Sequence, residues 1–203
     1  MTVKHSYVEY DAINCKENIN NLSNEDLDIN IQDEYGYTPL MYAVNRDSDF
    51  IVEDLLKRGA DPNIQNHSGH SPLMHAVNYN NIKNVIHLLK YSADPNVQDD
   101  HGLTPLMRAL CYNHIEIVKD LLKYGAKIEN LKTNDGRTTV KCATVNRNYE
   151  VAKLVINEAI KRRNKNDDMN KLIKSIPDYV NKKTFMKCKN ALNINVMKYI
   201  CDF

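Results

Sequence analysis

Net charge is almost absent from this chain: 27 lysines and arginines stand against 26 aspartates and glutamates, leaving +1 over 203 residues. So weak a global field gives no reason to expect nucleic acid or a membrane surface as partner. Long apolar runs are missing too. Met1–Ser6 carries no apolar stretch of signal-peptide length, and nothing approaches the ~20 residues that cross a bilayer. Cysteine pairs are lacking: Cys15, Cys111, Cys142, Cys188 and Cys201 are scattered, odd in number and free of any Cys-x-x-Cys. That pattern fits reduced thiols in a cytoplasmic compartment better than a disulfide framework. Phosphate loop, dinucleotide fingerprint, HExxH, nucleophile elbow and kinase motifs are all absent, so neither enzyme activity nor a cofactor is expected.

Glycine is scarce, with six in the chain, yet three recur at a fixed interval. Gly36-Tyr-Thr-Pro-Leu-Met-Tyr-Ala43 is followed 33 residues on by Gly69-His-Ser-Pro-Leu-Met-His-Ala76, and again by Gly102-Leu-Thr-Pro-Leu-Met-Arg-Ala109. A worn copy, Gly136-Arg-Thr-Thr-Val-Lys-Cys-Ala143, comes 34 residues later. A period in this range means stacked supersecondary units. Period and motif together resemble the ankyrin repeat, with Met where the usual Thr-Pro-Leu-His has His. The resemblance implies an all-α repeat solenoid of helix-turn-helix units joined by finger loops.

The units are read as follows. Residues 1–32 form a degenerate N-terminal cap with helices near 7–12 and 14–24. Repeats one, two and three are 33–65, 66–98 and 99–132. A degenerate fourth repeat covers 133–160, with Thr139 for Pro, Val140 for Leu and Ala159 for the terminal Gly. Residues 161–203 form a basic helical C-terminal cap, a decayed fifth repeat. Acids prevail twelve to five in 1–60 and bases eleven to four in 161–203, a pattern read as charged, solvated caps.

Within each unit, Thr38, Ser71 and Thr104 cap the first helix and Pro takes its first position. Leu40, Leu73 and Leu106 point into the core, and Ala43, Ala76, Ala109 and Ala143 allow close helix approach. Ile51, Val52, Leu55 and Leu56, and Ile115, Ile117, Val118, Leu121 and Leu122, give the second helices an apolar face. Val151, Ala152, Val155 and Ile156 continue it. Gly59 and Gly125 end these helices in left-handed geometry, where Ser92 costs on the order of 1 kcal/mol. Met41, Met74 and Met107 stand where ankyrin histidines bridge repeats by hydrogen bonds, so specificity between repeats is expected to rest more on packing. His75 and His87 are read as ordinary surface or groove residues.

Chemistry outside the repeat motif is thin. His67 and His70 with His101 are too few for a structural zinc site, which wants four converging ligands, so no metal is expected. Cys111 and His114 stand at i,i+3 like a nucleophile and base, but no orienting group accompanies them. Asn30, Asn63 and Asn96 each lie eight residues after a leucine. This resembles the asparagines that an oxygen-dependent hydroxylase modifies, and finger hydrogen bonds are the favoured reading.

The resemblance implies a non-enzymatic module that binds another protein on a concave face made of finger tips and first helices. Carried onto this chain, the face comprises Tyr35, Tyr37 and Arg46, then His67, His70 and Tyr79, then His101, Leu103 and Tyr112, then Arg137. Glu34, Asn45, Ser68, Asn78, Asp100, Cys111, Asn134, Asp135, Val145 and Asn146 flank them. No nucleic acid, membrane or cofactor is implied, and the oligomeric state is left open. Abundant Asn, Lys, Ile and Tyr accompany AT-rich genomes, including those of intracellular bacteria and large DNA viruses, for which a host protein in the host cytoplasm is the expected partner. The alternative is an adaptor that links a bound target to a ubiquitin ligase through the C-terminal segment, where Leu172–Val180 resembles the start of an F-box-like helix pair.

Overall fold

The computed structural model describes residues 28–128 and 132–139, with 142, 143, 151, 154, 155 and 158 of the fourth repeat. The N-terminal cap helices, Val140, Ala152, Ile156, Ala159, the Val145 and Asn146 positions and all of 161–203 lie outside them. The chain divides into two compact units, 1–100 and 101–203. Six helices occur among the described residues: α1 Pro39–Asn45, α2 Asp49–Lys57, α3 Pro72–Asn78, α4 Ile82–Lys90, α5 Pro105–Tyr112 and α6 Ile115–Lys123. The first four belong to the first unit and the last two to the second.

The first helices begin as the motif dictates. The hydroxyls of Thr38, Ser71 and Thr104 accept the amides of Met41, Met74 and Met107 at 3.3, 3.4 and 3.2 Å, and proline follows where no donor is needed. After one or two turns the chain reverses through a left-handed residue: Asp47, Asn80 or Asn113, with φ of 57°, 54° and 63°. Asp and Asn tolerate that conformation better than other residues with side chains. The carbonyls of Ala43, Ala76 and Ala109 accept the amides of Ser48, Asn81 and His114 across the turn. Each second helix ends in another left-handed residue, at Gly59 (φ 94°), Ser92 (φ 68°) and Gly125 (φ 91°).

Helices of seven to nine residues do not persist alone in water. Here α1 packs on α2 and α3 on α4, while α1 runs beside α3 and α2 beside α4. In the second unit α5 packs on α6. The predicted core leucines, alanines and methionines are buried. Ile117, Val118, Leu121 and Leu122 are buried too, and Val151 and Val155 carry the apolar face into the fourth repeat. Ile115 departs from the expected face: it opens α6 and is only half-buried.

Packing is not the whole of the cohesion between repeats, because residues other than the methionines supply hydrogen bonds across them. The side-chain carbonyl of Asn30 accepts the amide of Asp61 at 2.8 Å, and that of Asn63 accepts the amide of Asp94 at 2.7 Å. Asn63 also donates Nδ2 to the Ser92 carbonyl at 3.1 Å. Gln32 donates Nε2 to the carbonyls of Gly36 (2.7 Å) and Gln65 (3.0 Å), and Gln65 donates in turn to Gly69 and to Gln98 (2.9 Å). Asn and Gln thus form two polar ladders at the repeat period. The asparagines at 30 and 63 are finger-bonding residues.

Candidate partner-binding surface

Three of the four fingers are seen as tight turns closed by the side chain at their base. Asp33 Oδ1 accepts the amides of Tyr35 (2.8 Å) and Tyr37 (2.7 Å), and Asn66 Oδ1 accepts those of Ser68 (3.0 Å) and His70 (2.9 Å). In the fourth repeat Thr133 Oγ1 accepts the Arg137 amide at 2.9 Å, and Lys132 and Thr138 form an antiparallel bridge. The same exposure pattern recurs four times. Glu34 and Tyr35, His67 and Ser68, Asp100 and His101, and Asn134 and Asp135 are exposed. A left-handed glycine follows, and then a half-buried residue: Tyr37, His70, Leu103 or Arg137.

In the first unit the half-buried residues meet the first helices. Tyr37 lies 5.4 Å, centroid to centroid, from Tyr42 and 5.2 Å from His75, and His70 meets His75 edge-on at 5.6 Å. Tyr42 donates its hydroxyl to Asp33 Oδ2 at 2.5 Å. Burial first, and then the bond to Asp33, push its phenol well above the ordinary range. His70 Nε2 stands 3.8 Å from the buried carboxylate of Asp99. Two aromatic rings flank this cluster in the open: Tyr35 is 63% exposed, and Tyr79, which caps α3, is 62% exposed. Arg46, the cap of α1, is exposed as well.

His75 is buried, which overturns its reading as an ordinary surface or groove residue. His87 is half-buried. His75 and Tyr42 hold the same register position, one residue before the repeated alanine, as do Arg108 and Cys142 in the second unit, and sequence reasoning left that position out of the surface. A signal for it existed: Tyr42, His75 and Arg108 occupy one register position, each between a methionine and an alanine.

In the second unit Tyr112 is 54% exposed and stacks on His114 at 5.6 Å. His114 stands at the start of α6 and serves the aromatic pair, while Cys111 is half-buried and Cys142 buried. Arg137 is ion-paired: its Nε lies 2.8 Å from Asp135 Oδ2. Hydrogen bonds from Thr133 and then Arg137 lower the Asp135 carboxyl to about 2. No group of three or more His, Cys, Asp or Glu side chains suited to a metal ion occurs among the described residues. No helix among them is long and apolar enough to cross a membrane.

Helix pairs and fingers repeated every 33 residues define a helical repeat protein. A family model for ankyrin repeats matches the chain in three overlapping copies, at residues 8–99, 45–131 and 73–168. The chain belongs to the ankyrin repeat family, whose members are generally protein–protein interaction modules and typically not enzymes. No curated protein matches the sequence.

Proposed function

We propose that the chain binds another protein through its finger tips and first helices, and that in the first unit Tyr35, Tyr37, Arg46, His67, His70 and Tyr79 carry the contact. The observation behind this reading is the ring cluster of Tyr37, Tyr42, His70 and His75, flanked by two largely exposed tyrosines. Large amphipathic rings with few rotatable bonds supply contact area at low entropic cost, and interface energy concentrates in a few such residues. The neighbours hold the buried rings in place, so little ordering is left for binding. The corresponding surface of the second unit offers His101, Leu103, Tyr112 and Arg137. In this reading the partner is met inside a cell, in the host cytoplasm if the source is viral or an intracellular bacterium.

A photo-crosslinking residue at position 79 tests the assignment, with one at Lys90, an exposed position on α4, as control. After affinity capture from lysate, crosslinking from 79 and not from 90 supports this face, and the reverse pattern removes it. Capture without residues 165–203 addresses the adaptor reading. Loss of ubiquitin-ligase subunits with retention of other partners would favour a recruiting C-terminal segment.

A further inference from the structure

In the first unit the two signs of charge sit on different elements. The bases of its described residues are Arg46, Lys57, Arg58, Lys83 and Lys90, and all but Arg46 stand on a second helix or at its end. Three of them are ion-paired there: Lys57 lies 2.8 Å from Glu53, Arg58 3.6 Å from Asp54, and Lys83 3.0 Å from Asp49. The fingers carry the opposite sign. Asp33 and Glu34 belong to the first finger and Asp99 and Asp100 to the third, and no lysine or arginine occurs in 33–37, 66–70 or 99–100. The first helices α1 and α3 hold no lysine, arginine or carboxylate.

These carboxylates play different parts. Asp33 is held behind its finger, accepting the amides of Tyr35 and Tyr37 and the Tyr42 hydroxyl. Asp99 is buried beside His70. Glu34 and Asp100 are exposed, and Glu34 is followed directly by the largely exposed ring of Tyr35. Main-chain bonds hold the three tips in a row, from His67 to the Tyr35 carbonyl and from Asp100 to that of Ser68. An open aromatic face beside a carboxylate attracts a cation twice over, through the ring quadrupole and through the formal charge. Arginine suits such a place better than lysine, because one planar, weakly hydrated guanidinium both stacks on a ring and forks onto a carboxylate.

We propose that the partner segment met by the first unit bears arginine, one guanidinium stacking on Tyr35 and pairing with Glu34. Asp33, Asp99 and Asp100 extend the negative potential along the fingers, so further bases in the segment are favoured too. The inference rests on the finger-tip reading above and adds the chemistry of what binds. An acidic segment is repelled by the same strip, and a purely apolar one covers Glu34 without pairing it.

The probe is a capped, fluorescein-labelled peptide that alternates glycine and arginine, set against the same peptide with citrulline, which keeps the shape and drops the charge. Anisotropy titrations use the full-length protein at low salt. The arginine peptide should bind at least about tenfold more tightly than the citrulline peptide. Glu34→Lys should weaken it by about tenfold or more, whereas Glu53→Lys, an equal change of net charge on α2, should leave it within about twofold. Tyr35→Leu keeps apolar area and removes the ring, and should cost about two- to fivefold. Equal affinity for the two peptides overturns the proposal, and that comparison is read on the unaltered chain, so it does not depend on a variant folding. Equal losses from Glu34→Lys and Glu53→Lys overturn it as well, since they mean diffuse attraction to net charge. A photo-crosslinking residue at position 67, on the middle finger, separates this inference from the reading beneath it. Crosslinks to a captured segment that holds arginine support both. Crosslinks to a segment without arginine overturn the inference and leave the finger-tip reading in place. Crosslinking confined to a control residue at position 90 removes both.

Discussion

A Cβ atom built on Gly69 would stand 2.7 Å from the backbone nitrogen of Asp100, in the next finger. Gly36 has the same relation to His67, at 2.8 Å. Gly59 is also left-handed, yet nothing lies within 4 Å of a Cβ there. The two kinds of glycine separate conformational strain from steric exclusion. Gly59→Ala should cost about 1–2 kcal/mol from strain alone. Gly69→Ala should cost roughly 2–5 kcal/mol, because a backbone must also give way. Urea midpoints of the two variants decide it, and equal losses would show that the fingers part without penalty.

Asn84 has the opposite problem. It stands where the other repeats have Ile51, Ile117 and Val151, is 0% exposed, and neither amide atom has a hydrogen-bond partner. A buried polar group left unsatisfied costs about 1–3 kcal/mol. Asn84→Leu, nearest in shape, and Asn84→Ile, the residue of the neighbouring repeats, should therefore raise stability by about that amount. Denaturant titration at constant m-value is the measurement. A loss in both variants would mean that a buried water serves the amide.

Ser92 holds a left-handed conformation that its counterparts leave to glycine. Its contribution to the finger ladder is a backbone carbonyl, which glycine keeps. Ser92→Gly should stabilise the chain by about 1 kcal/mol, and Ser92→Ala should not. A thermal scan that ranks Ala above Gly would contradict the argument.

Asp135 provides a pH signature. Its folded carboxyl is lowered to about 2, first by the Thr133 hydroxyl and then by Arg137. A depressed carboxyl contributes stability above its unfolded value, near 4, and loses it as pH falls through the folded value. The carboxyl resonance of Asp135 should thus stay ionised while exposed carboxylates titrate. Thr133→Val should move its midpoint up further than Arg137→Gln. The reverse order would make the guanidinium the main cause.

Much of this architecture was legible because its causes are local. A hydroxyl before proline caps the next turn, so Thr38, Ser71 and Thr104 could be placed from three residues each. Gly59 and Gly125 announced left-handed ends, and the spacing alone put Ser92 in the same geometry. Tyr35 and Tyr79 were placed on the finger and first-helix positions, where the structure exposes them. What stayed hidden depends on partners about thirty residues away. Nothing near Asn63 or Gln65 shows that their side chains are bonded one repeat further on, although both recur at the glycine period. His75 looked like a surface residue until Tyr37 and His70 covered it.

The fingers are joined to one another by main chain at their most exposed residues. His67 donates its amide to the Tyr35 carbonyl at 3.0 Å, Asp100 to Ser68 at 3.3 Å, and Asn134 to His101 at 2.9 Å. Side chains at these tips take no part in those bonds, so nearly any residue can be written there without touching the frame. Proline at 67, 100 or 134 is the exception, for want of an amide hydrogen. If the proposed face is the one a partner meets, the letters it reads and the grammar that keeps the chain folded are carried by different atoms of the same residues, which lets recognition drift under mutation while stability holds.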